Sequence, residues 1–503
     1  MRNKLRYLFA VLTAVFTAVQ APAQDAPLSV IDWLHNNPDP PEIDQQTGSG
    51  PERSRLPPDV TVQSLDADQD RLIGLVPSRV TELPETLWRG SAPQTLQNLL
   101  KTLPDVQVPA AQSLLYALLL NESTGPGNDV AEADLFTVAR VRTLMHLGAL
   151  DPAMALAEQA DITRDAAHFA VYMEIALLTG QEDAACAVQS VRSHLAPDLA
   201  HRIFCAVRAG DWGLAALLFD SGRAVGAFDA ATEAALERFL DPEFAEEAPQ
   251  LPVPIAADVT PLLFRLHESI GEPIPTGFLP RAYAVADLRD IVGWKAQLEA
   301  AERLARAGVL PANQLLGLYT ERAPAASGGI WDRVAAVTRL DTALRTKSAD
   351  AVTKTLPTAW DQMRDAGLAS AFATLFSEDL SKIALAGYAK DIAVQLALIA
   401  PQTTPFSPDA GDAAALLRNL PAHPMSDAVA QGLTTQPPRA DLMVLAREDR
   451  VGEALLGALR LLEDGASGDP HALSSALATL TALGHPRVAG QAAAEILVLG
   501  PFS

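Results

Sequence analysis

Three glycines at nearly even spacing divide the middle of the chain into helical runs of similar length. Gly148, Gly180 and Gly210 each follow one apolar run and precede the next, at spacings of 32 and 30 residues. A period just above thirty is typical of stacked helix-turn-helix units, because two helices of about 13 residues need only short turns between them. The spacing therefore predicts an all-α chain in which these residues form an α-solenoid of helical hairpins.

Residues 148–226 also share a register of small and apolar side chains. After the three glycines come, in turn, Ala153 and Ala155, Ala185 and Ala187, and Ala215 and Leu217. In period and register this segment resembles tetratricopeptide repeats over about two and a half units, without the family's full tryptophan, tyrosine and proline signature. The resemblance implies a concave surface that binds a peptide or a protein.

The high alanine and leucine content suggests a second likeness. The whole chain resembles Ala- and Leu-rich exported proteins of alphaproteobacteria, some of which are labelled antifreeze. Ice binding on a helix requires a regular face of threonines, and the sequence contains no such face. The residues therefore give ice binding no support.

The chain's two cysteines flank the turn Ala196-Pro197. Cys186 precedes this turn by about as many residues as Cys205 follows it, so the two thiols lie at the same height in an antiparallel helix pair. A helical wheel puts both cysteines outside the apolar stripes, which consist of Ala184, Ala187, Val188, Val191 and Leu195 before the turn and Leu199, Ile203 and Val207 after it. We predict a disulfide, and two separately packed thiols are the alternative.

The N-terminus has the layout of a secretory signal peptide over residues 1–23. Three basic residues within the first six precede an apolar run from Tyr7 to Val19, and Ala21-Pro22-Ala23 supplies a small-residue cleavage site. A buried N-terminal helix, the alternative, explains neither the charge order nor that site. The prediction is export to the periplasm with cleavage near Ala23, where an oxidising environment permits the disulfide.

The charge of the chain limits its partners. Thirty-eight basic and 61 acidic residues give a net charge of −23, and loss of residues 1–23 would make it −26. Nucleic acid and anionic membrane surfaces repel such a chain. No later stretch reaches about 18 uncharged apolar residues, so we predict no transmembrane segment in the mature chain. A protein or peptide of the cell envelope is the expected partner.

Proline positions suggest the domain organisation. In residues 24–58 an apolar peptide precedes a tether rich in proline and acidic residues. This peptide could dock in a partner's groove or fold back on its own domain. Its apolar side chains are Val30, Ile31, Trp33 and Leu34. Residues 59–90 predict a small irregular or β cap. A helical-repeat lobe (91–241), a proline-rich linker (242–261) and a second helical lobe (262–503) follow.

Most helices can be placed by their first residues or their apolar periodicity. In the first lobe, helix starts are predicted near Pro93, Pro109, Glu132, Pro152, Asp165, Glu182, Pro197, Asp211 and Ala227. In the second lobe, helices are predicted at 294–307, 313–321, 332–345, 350–355, 358–366, 378–399, 411–419, 437–447, 451–463, 470–483 and 487–498.

Catalytic motifs are missing from the sequence. It contains no phosphate-binding loop, no zinc motif and no nucleophile elbow, so no catalytic residue, metal site or cofactor is predicted. Glu122-Ser123 resembles the pair that opens the catalytic motif of lytic transglycosylases, whose soluble members carry an all-α superhelix, but the rest of that motif is absent. We interpret Glu122 as a solvated residue at a helix end. His194 and His201 flank a turn without a carboxylate cluster of ligand spacing and are interpreted as ordinary helix-end residues.

A loop of small residues is the remaining candidate for partner binding. Ser327, Gly328 and Gly329 precede Trp331, and small residues allow another backbone or a ligand to approach closely, although a tight interhelical turn needs the same residues. Trp88, Trp212 and Trp331 are each expected to anchor packing. The expected function is a non-enzymatic scaffold or adaptor for another envelope protein. The alternative is an accessory relative of a peptidoglycan-active enzyme.

Overall fold

The computed structural model describes residues 71–127, 130–324, 326–401 and 424–500. Every regular element in these ranges is a helix, which confirms the all-α class. Bridges of the β type are limited there to Ile73 with Ser123 and Val76 with Asn121, so the described part of the predicted cap is irregular. The predicted signal peptide, the tether with Val30, Ile31, Trp33 and Leu34, the start of the cap and the predicted helix at 411–419 lie outside the described residues.

The first half of the chain is a succession of helices, and each helix from α4 to α10 packs against the next. Their bounds are α1 (Ser78–Thr81), α2 (Pro93–Lys101), α3 (Pro109–Leu120), α4 (Val130–Leu147), α5 (Leu150–Gln159), α6 (Ala166–Thr179), α7 (Glu182–Val191), α8 (Leu199–Arg208), α9 (Trp212–Ala224), α10 (Ala230–Leu240) and α11 (Pro242–Glu247). Aspartates cap several of them, because a carboxylate accepts hydrogen bonds from the free N–H groups of the first turn; the caps are Asp165, Asp198, Asp211 and Asp229.

The second half contains α12 (Pro261–Ser269), α13 (Trp294–Arg306), α14 (Ala312–Glu321), α15 (Ile330–Arg345), α16 (Ala349–Asp365), α17 (Ala369–Ser381), α18 (Gly387–Ile399), α19 (Ser426–Thr434), α20 (Ala440–Arg447), α21 (Val451–Ala466), α22 (Pro470–Ala482) and α23 (Pro486–Leu499). Short 3₁₀ helices lie at Ser193–Leu195, Ala256–Asp258, Thr276–Phe278 and Arg281–Leu288.

The three evenly spaced glycines terminate helices, as the spacing predicts. Gly148, Gly180 and Gly210 have φ angles of +86°, +79° and +80°. This left-handed conformation closes the last turn of a helix and favours glycine, which has no Cβ to clash. The next helix begins within two residues in each case.

The apolar core has two parts. One cluster joins residues between Ile73 and Ala286 with residues between Met425 and Leu497, and the other lies between Ala284 and Ala400. The C-terminal helices belong with the first helices because α21 and α23 both pack against α3. The core therefore divides differently from the predicted lobes 91–241 and 262–503. Within the predicted linker 242–261 lie α11 and a 3₁₀ turn, and α10 packs against α12 across it.

Two predicted helix boundaries in the second half are wrong. The helices expected at 350–355 and 358–366 are the single helix α16, which contains Pro357. Its buried face continues in register through the proline. The free energy gained by that burial outweighs the cost of a proline inside a helix, which is about 3 kcal/mol. The helix expected at 378–399 is instead the pair α17 and α18, which separate before Gly387, where φ is +58°.

The predicted disulfide is confirmed. Cys186 in α7 and Cys205 in α8 are bonded, with a Cα–Cα distance of 5.0 Å. The predicted stripe of α7 is wrong, however, because Cys186 is buried whereas Val191 is 84% exposed. An alanine-rich helix has several faces of similar hydropathy, and here the disulfide and buried polar contacts select the inward one; its buried residues are Glu182, Ala185, Cys186 and Gln189.

Candidate functional site

A cleft of about 880 Å³ opens beside the N-terminal end of α3. Its other walls are the C-terminal ends of α13 and α16, the start of α17 and the segment around Arg281. These parts are distant in sequence and meet here because α3 is central to the packing. A recess of this size is in the range of ligand pockets, about 300–1,000 Å³.

Arginines dominate the charged lining of this cleft. Four arginines and two aspartates line it, although the whole chain has a net charge of −23. The arginines are Arg281, Arg303, Arg306 and Arg364, and the aspartates are Asp105 and Asp365. Arg364 is compensated, because it forms ion pairs with Asp361 and Asp365 at 3.1 and 3.3 Å. The local excess of positive charge therefore comes from the other three arginines, which we call the arginine triplet.

Arg303 is the fixed member of the triplet. Its guanidinium donates hydrogen bonds to the backbone carbonyls of Thr276 and Leu279, at 3.0 and 2.5 Å. Burial lowers the pKa of Arg303, and the charges of Arg281 and Arg306 lower it further. Arg281 and Arg306 thus both lie close enough to Arg303 to repel its charge, which concentrates positive potential at one place.

The other two members differ in exposure, because the Arg281 side chain is only 22% exposed. Arg306 is exposed at the end of α13, and across the described residues neither Arg303 nor Arg306 forms an ion pair. Arg281 pairs with Asp105 at 3.0 Å, and the Asp105 side chain is 53% exposed. Asp105 lies in the irregular segment before α3, so among the described residues the one carboxylate that pairs with the triplet comes from an exposed loop.

Polar contacts clamp the end of α13 onto α3. The amide of Gln112 donates to the carbonyls of Val106 and Arg306, at 2.9 and 3.1 Å. The hydroxyl of Tyr116 donates to the carbonyl of Ala307 at 3.0 Å, and burial raises the pKa of this tyrosine. These bonds satisfy carbonyls that the last turn of a helix leaves open, and they fix where the triplet projects.

Two buried glutamates hold the N-terminal end of α3. Glu463 accepts hydrogen bonds from the backbone N–H groups of Gln107 and Val108, at 3.0 and 3.2 Å, and Glu495 accepts one from Ala110 at 2.9 Å. Burial raises the pKa of Glu463 to about 7 and that of Glu495 to about 8. Through these hydrogen bonds the two carboxyl groups cap the N-terminal end of α3 and place the loop that carries Asp105.

A buried arginine holds the other end of α3. Arg140, 2% exposed, donates four hydrogen bonds of 2.6–3.0 Å to the carbonyls of Ile73, Leu119 and Asn121. Burial lowers its pKa to about 10. Acidic groups at the start of α3 and a cation at its end both complement the dipole, so one wall of the cleft is a rigidly held helix.

The predicted partner-binding loop lies outside the cleft lining. Ser327, Gly328 and Gly329 are exposed, and the two glycines have φ angles of +95° and +54°. A Cβ at either glycine would meet no atom within 4 Å, so the glycines serve the turn and no other backbone approaches them. The ring of Trp331 lies 5.1 Å from that of Trp294, which agrees with a packing role.

The remaining sequence candidates have ordinary environments. Trp88 is buried against Phe136, whereas Trp212 is 49% exposed, which corrects the expectation that it packs against the preceding hairpin. Glu122 follows the end of α3, and its backbone N–H bonds to Val76. The ring of His201 contacts its own helix cap, Asp198, at 2.7 Å. Among the described residues no cluster of three or more histidines, cysteines and carboxylates could hold a metal ion.

Sequence reasoning missed the arginine triplet. The predicted helix at 294–307 is confirmed as α13, and Lys295 and Glu299 form an ion pair along it at 3.3 Å. The available signal was Arg303 and Arg306, one turn apart at the end of that helix in a strongly acidic chain. Arg281 carries no local signal, because only the tertiary fold brings it to α13.

Comparisons with known proteins return no relative: no family model, no curated protein and no solved structure matches this chain. No helix in the described ranges combines the length and apolar character that crossing a membrane requires.

Proposed function

We propose that this chain is an exported α-helical repeat protein of the periplasm that acts as a scaffold or adaptor for another cell-envelope protein, without catalysing a reaction. The observation that carries the proposal is the cleft with its arginine triplet. It is a sizeable recess with uncompensated positive charge in a chain of net charge −23. Complementary charge speeds association and selects partners, so an acidic region of another protein fits this surface.

The remaining features support the same proposal. Helices α4 to α10 pack in chain order, and glycines at a period near thirty end alternate helices, which suits a solenoid of the tetratricopeptide kind. The Cys186–Cys205 disulfide suits an oxidising compartment such as the periplasm.

A capture experiment with matched variants tests the proposal. Tagged protein without residues 1–23 is cross-linked in periplasmic extract, and the recovered proteins are identified by mass spectrometry. We expect one envelope protein to be recovered with the unaltered chain and with Arg202→Glu, an exposed position outside the cleft, but not with Arg306→Glu. Recovery of peptidoglycan without protein would instead support the accessory role beside a peptidoglycan-active enzyme.

The same assay tests the N-terminal apolar peptide. Deletion of residues 30–34 removes the apolar side chains that could dock in a partner's groove. Reduced recovery of the partner would assign docking to this peptide, and unchanged recovery would exclude it.

A further inference from the structure

We infer that the cleft is a carboxylate-binding site for an acidic peptide segment, and that Asp105 occupies the place which a carboxylate of that segment takes. The inference rests on the proposed function and specifies the chemistry of the partner. It makes Asp105 an internal competitor, so removal of its charge should strengthen binding, whereas removal of an arginine should weaken it.

The geometry around Arg281 shows how a carboxylate is bound here. The guanidinium of Arg281 contacts the Asp105 carboxylate at 3.0 Å, and that carboxylate is about half exposed on an irregular loop. The Arg281 side chain is 22% exposed, so water reaches this ion pair mainly from the Asp105 side, and another carboxylate can take the place of Asp105 there. Guanidinium groups bind carboxylates through parallel N–H donors, which makes arginine the suitable residue for this exchange.

The other two arginines indicate that the ligand has several carboxylates. The carbonyls of Thr276 and Leu279 take one N–H each from Arg303, whose guanidinium has five such donors, and they orient the group without neutralising it. Arg306 forms no ion pair within the described part of the chain. Among the described residues, Asp105 is therefore the one aspartate that pairs with the triplet, and a ligand with two or more carboxylates would relieve the rest of the repulsion around Arg303.

The cleft suits a peptide better than a phosphate group. Phosphate sites commonly use free N–H groups at a helix N-terminus. Here the N-terminal amides of α3 are taken by Glu463 and Glu495, and α13 and α16, which carry Arg303, Arg306 and Arg364, reach the cleft through their C-terminal ends, whereas α17 reaches it through its start. A volume of about 880 Å³ also far exceeds the space that one phosphate or carboxylate needs.

The test measures binding of fluorescein-labelled hexaglutamate to the protein without residues 1–23, by fluorescence anisotropy at low salt. We expect Arg306→Gln to weaken binding roughly tenfold, because a charge-assisted contact is lost. We expect Asp105→Asn to strengthen it by about three- to fivefold, the strength of an exposed ion pair. Arg202→Gln, the matched exposed control, should bind as the unaltered chain does. Equal melting temperatures establish that the variants are folded.

Several outcomes would overturn the inference. The first is that hexaglutamate does not bind. The second is that Arg306→Gln and Arg202→Gln reduce the affinity for hexaglutamate equally, and the third is that Asp105→Asn weakens binding. If inorganic phosphate or citrate displaces labelled hexaglutamate at concentrations as low as unlabelled hexaglutamate does, the cleft is a site for small anions, and the peptide assignment is refuted. If hexaglutamate fails to bind while an envelope protein is still captured through Arg306, the peptide chemistry is wrong and the adaptor function stands.

Discussion

Replacement of Glu495 by glutamine should remove a large part of the pH dependence of stability. Glu495 is 2% exposed in α23, and burial raises its pKa from 4.5 to about 8. Between these two pH values the folded chain keeps a proton that the unfolded chain releases. The free energy of unfolding therefore falls as the pH rises through this window, and the loss is complete above pH 8. Glutamine does not titrate, so in the variant this residue causes no such fall in the free energy of unfolding.

The size of the effect follows from the shift. A rise of the pKa from 4.5 to about 8 corresponds to about 5 kcal/mol, at 1.36 kcal/mol per pH unit. The compact unit Asp68–Ser503 contains roughly 430 residues, and an unfolding entropy of about 2.1 cal/mol/K per residue gives about 1 °C in Tm per kcal/mol. Only the part of this loss between pH 5.5 and about pH 8 falls in the measured range, which is about 3.4 kcal/mol, so the variant should gain about 4 °C on the unaltered protein between pH 5.5 and pH 9.

Differential scanning calorimetry at these two pH values measures that gain directly. Glu463, whose pKa burial raises to about 7, titrates in both proteins, and its charge also raises the pKa of Glu495, so the comparison reports Glu495 together with its interaction with Glu463. The control is Glu246→Gln, at an exposed position on α11 where the side chain is in water before and after unfolding. A Tm difference between the Glu495→Gln variant and the unaltered chain that is the same at pH 5.5 and pH 9 would refute the reasoning.

Two further predictions concern the bonds that hold individual helices. The Cys186–Cys205 bond should make the intact mass about 2 Da lower than that of the reduced protein. Its removal by a double alanine substitution should lower the Tm by about 3 °C, because closure of a loop of about 20 residues contributes ~3 kcal/mol; identical masses before and after reduction would contradict the bond. Arg140→Met should cost at least ~3 kcal/mol by urea denaturation, because four hydrogen bonds to buried carbonyls are lost. Arg142→Met, the half-exposed neighbour on the same helix, should cost under about 0.5 kcal/mol, and equal urea midpoints for the two would exclude the role of Arg140.

Local signals in the sequence predicted most of the first half of the fold. Pro93 and Pro109 are the first residues of α2 and α3, since proline needs no N–H partner at that position. Gly148, Gly180 and Gly210 end helices because they adopt positive φ angles. The disulfide could be predicted because residues equidistant from a turn between antiparallel helices lie side by side.

Features that depend on distant segments could not be predicted. The inward face of α7 is set partly by the buried Glu182, which pairs with Arg265 of α12 at 2.7 Å, and hydropathy alone places no glutamate in a core. The cleft combines Asp105, Arg281 and Arg306 from three segments that share no motif. Only the packing of α13 against α3 makes them neighbours, and a helix periodicity does not specify which helices meet.

Glu463 of α21 and Glu495 of α23, which cap the start of α3, also set the order in which this chain can finish folding. Glu463 and Glu495 follow the amides that they cap by 355 and 385 residues. A ribosome that adds about 5–20 residues per second makes them roughly 20–75 s after those amides. Until then α3 lacks the caps of its first turn and the apolar partners that α21 and α23 provide. A chain interrupted before its last helices thus keeps an exposed apolar helix, the feature by which proteases and chaperones distinguish unfinished proteins from finished ones.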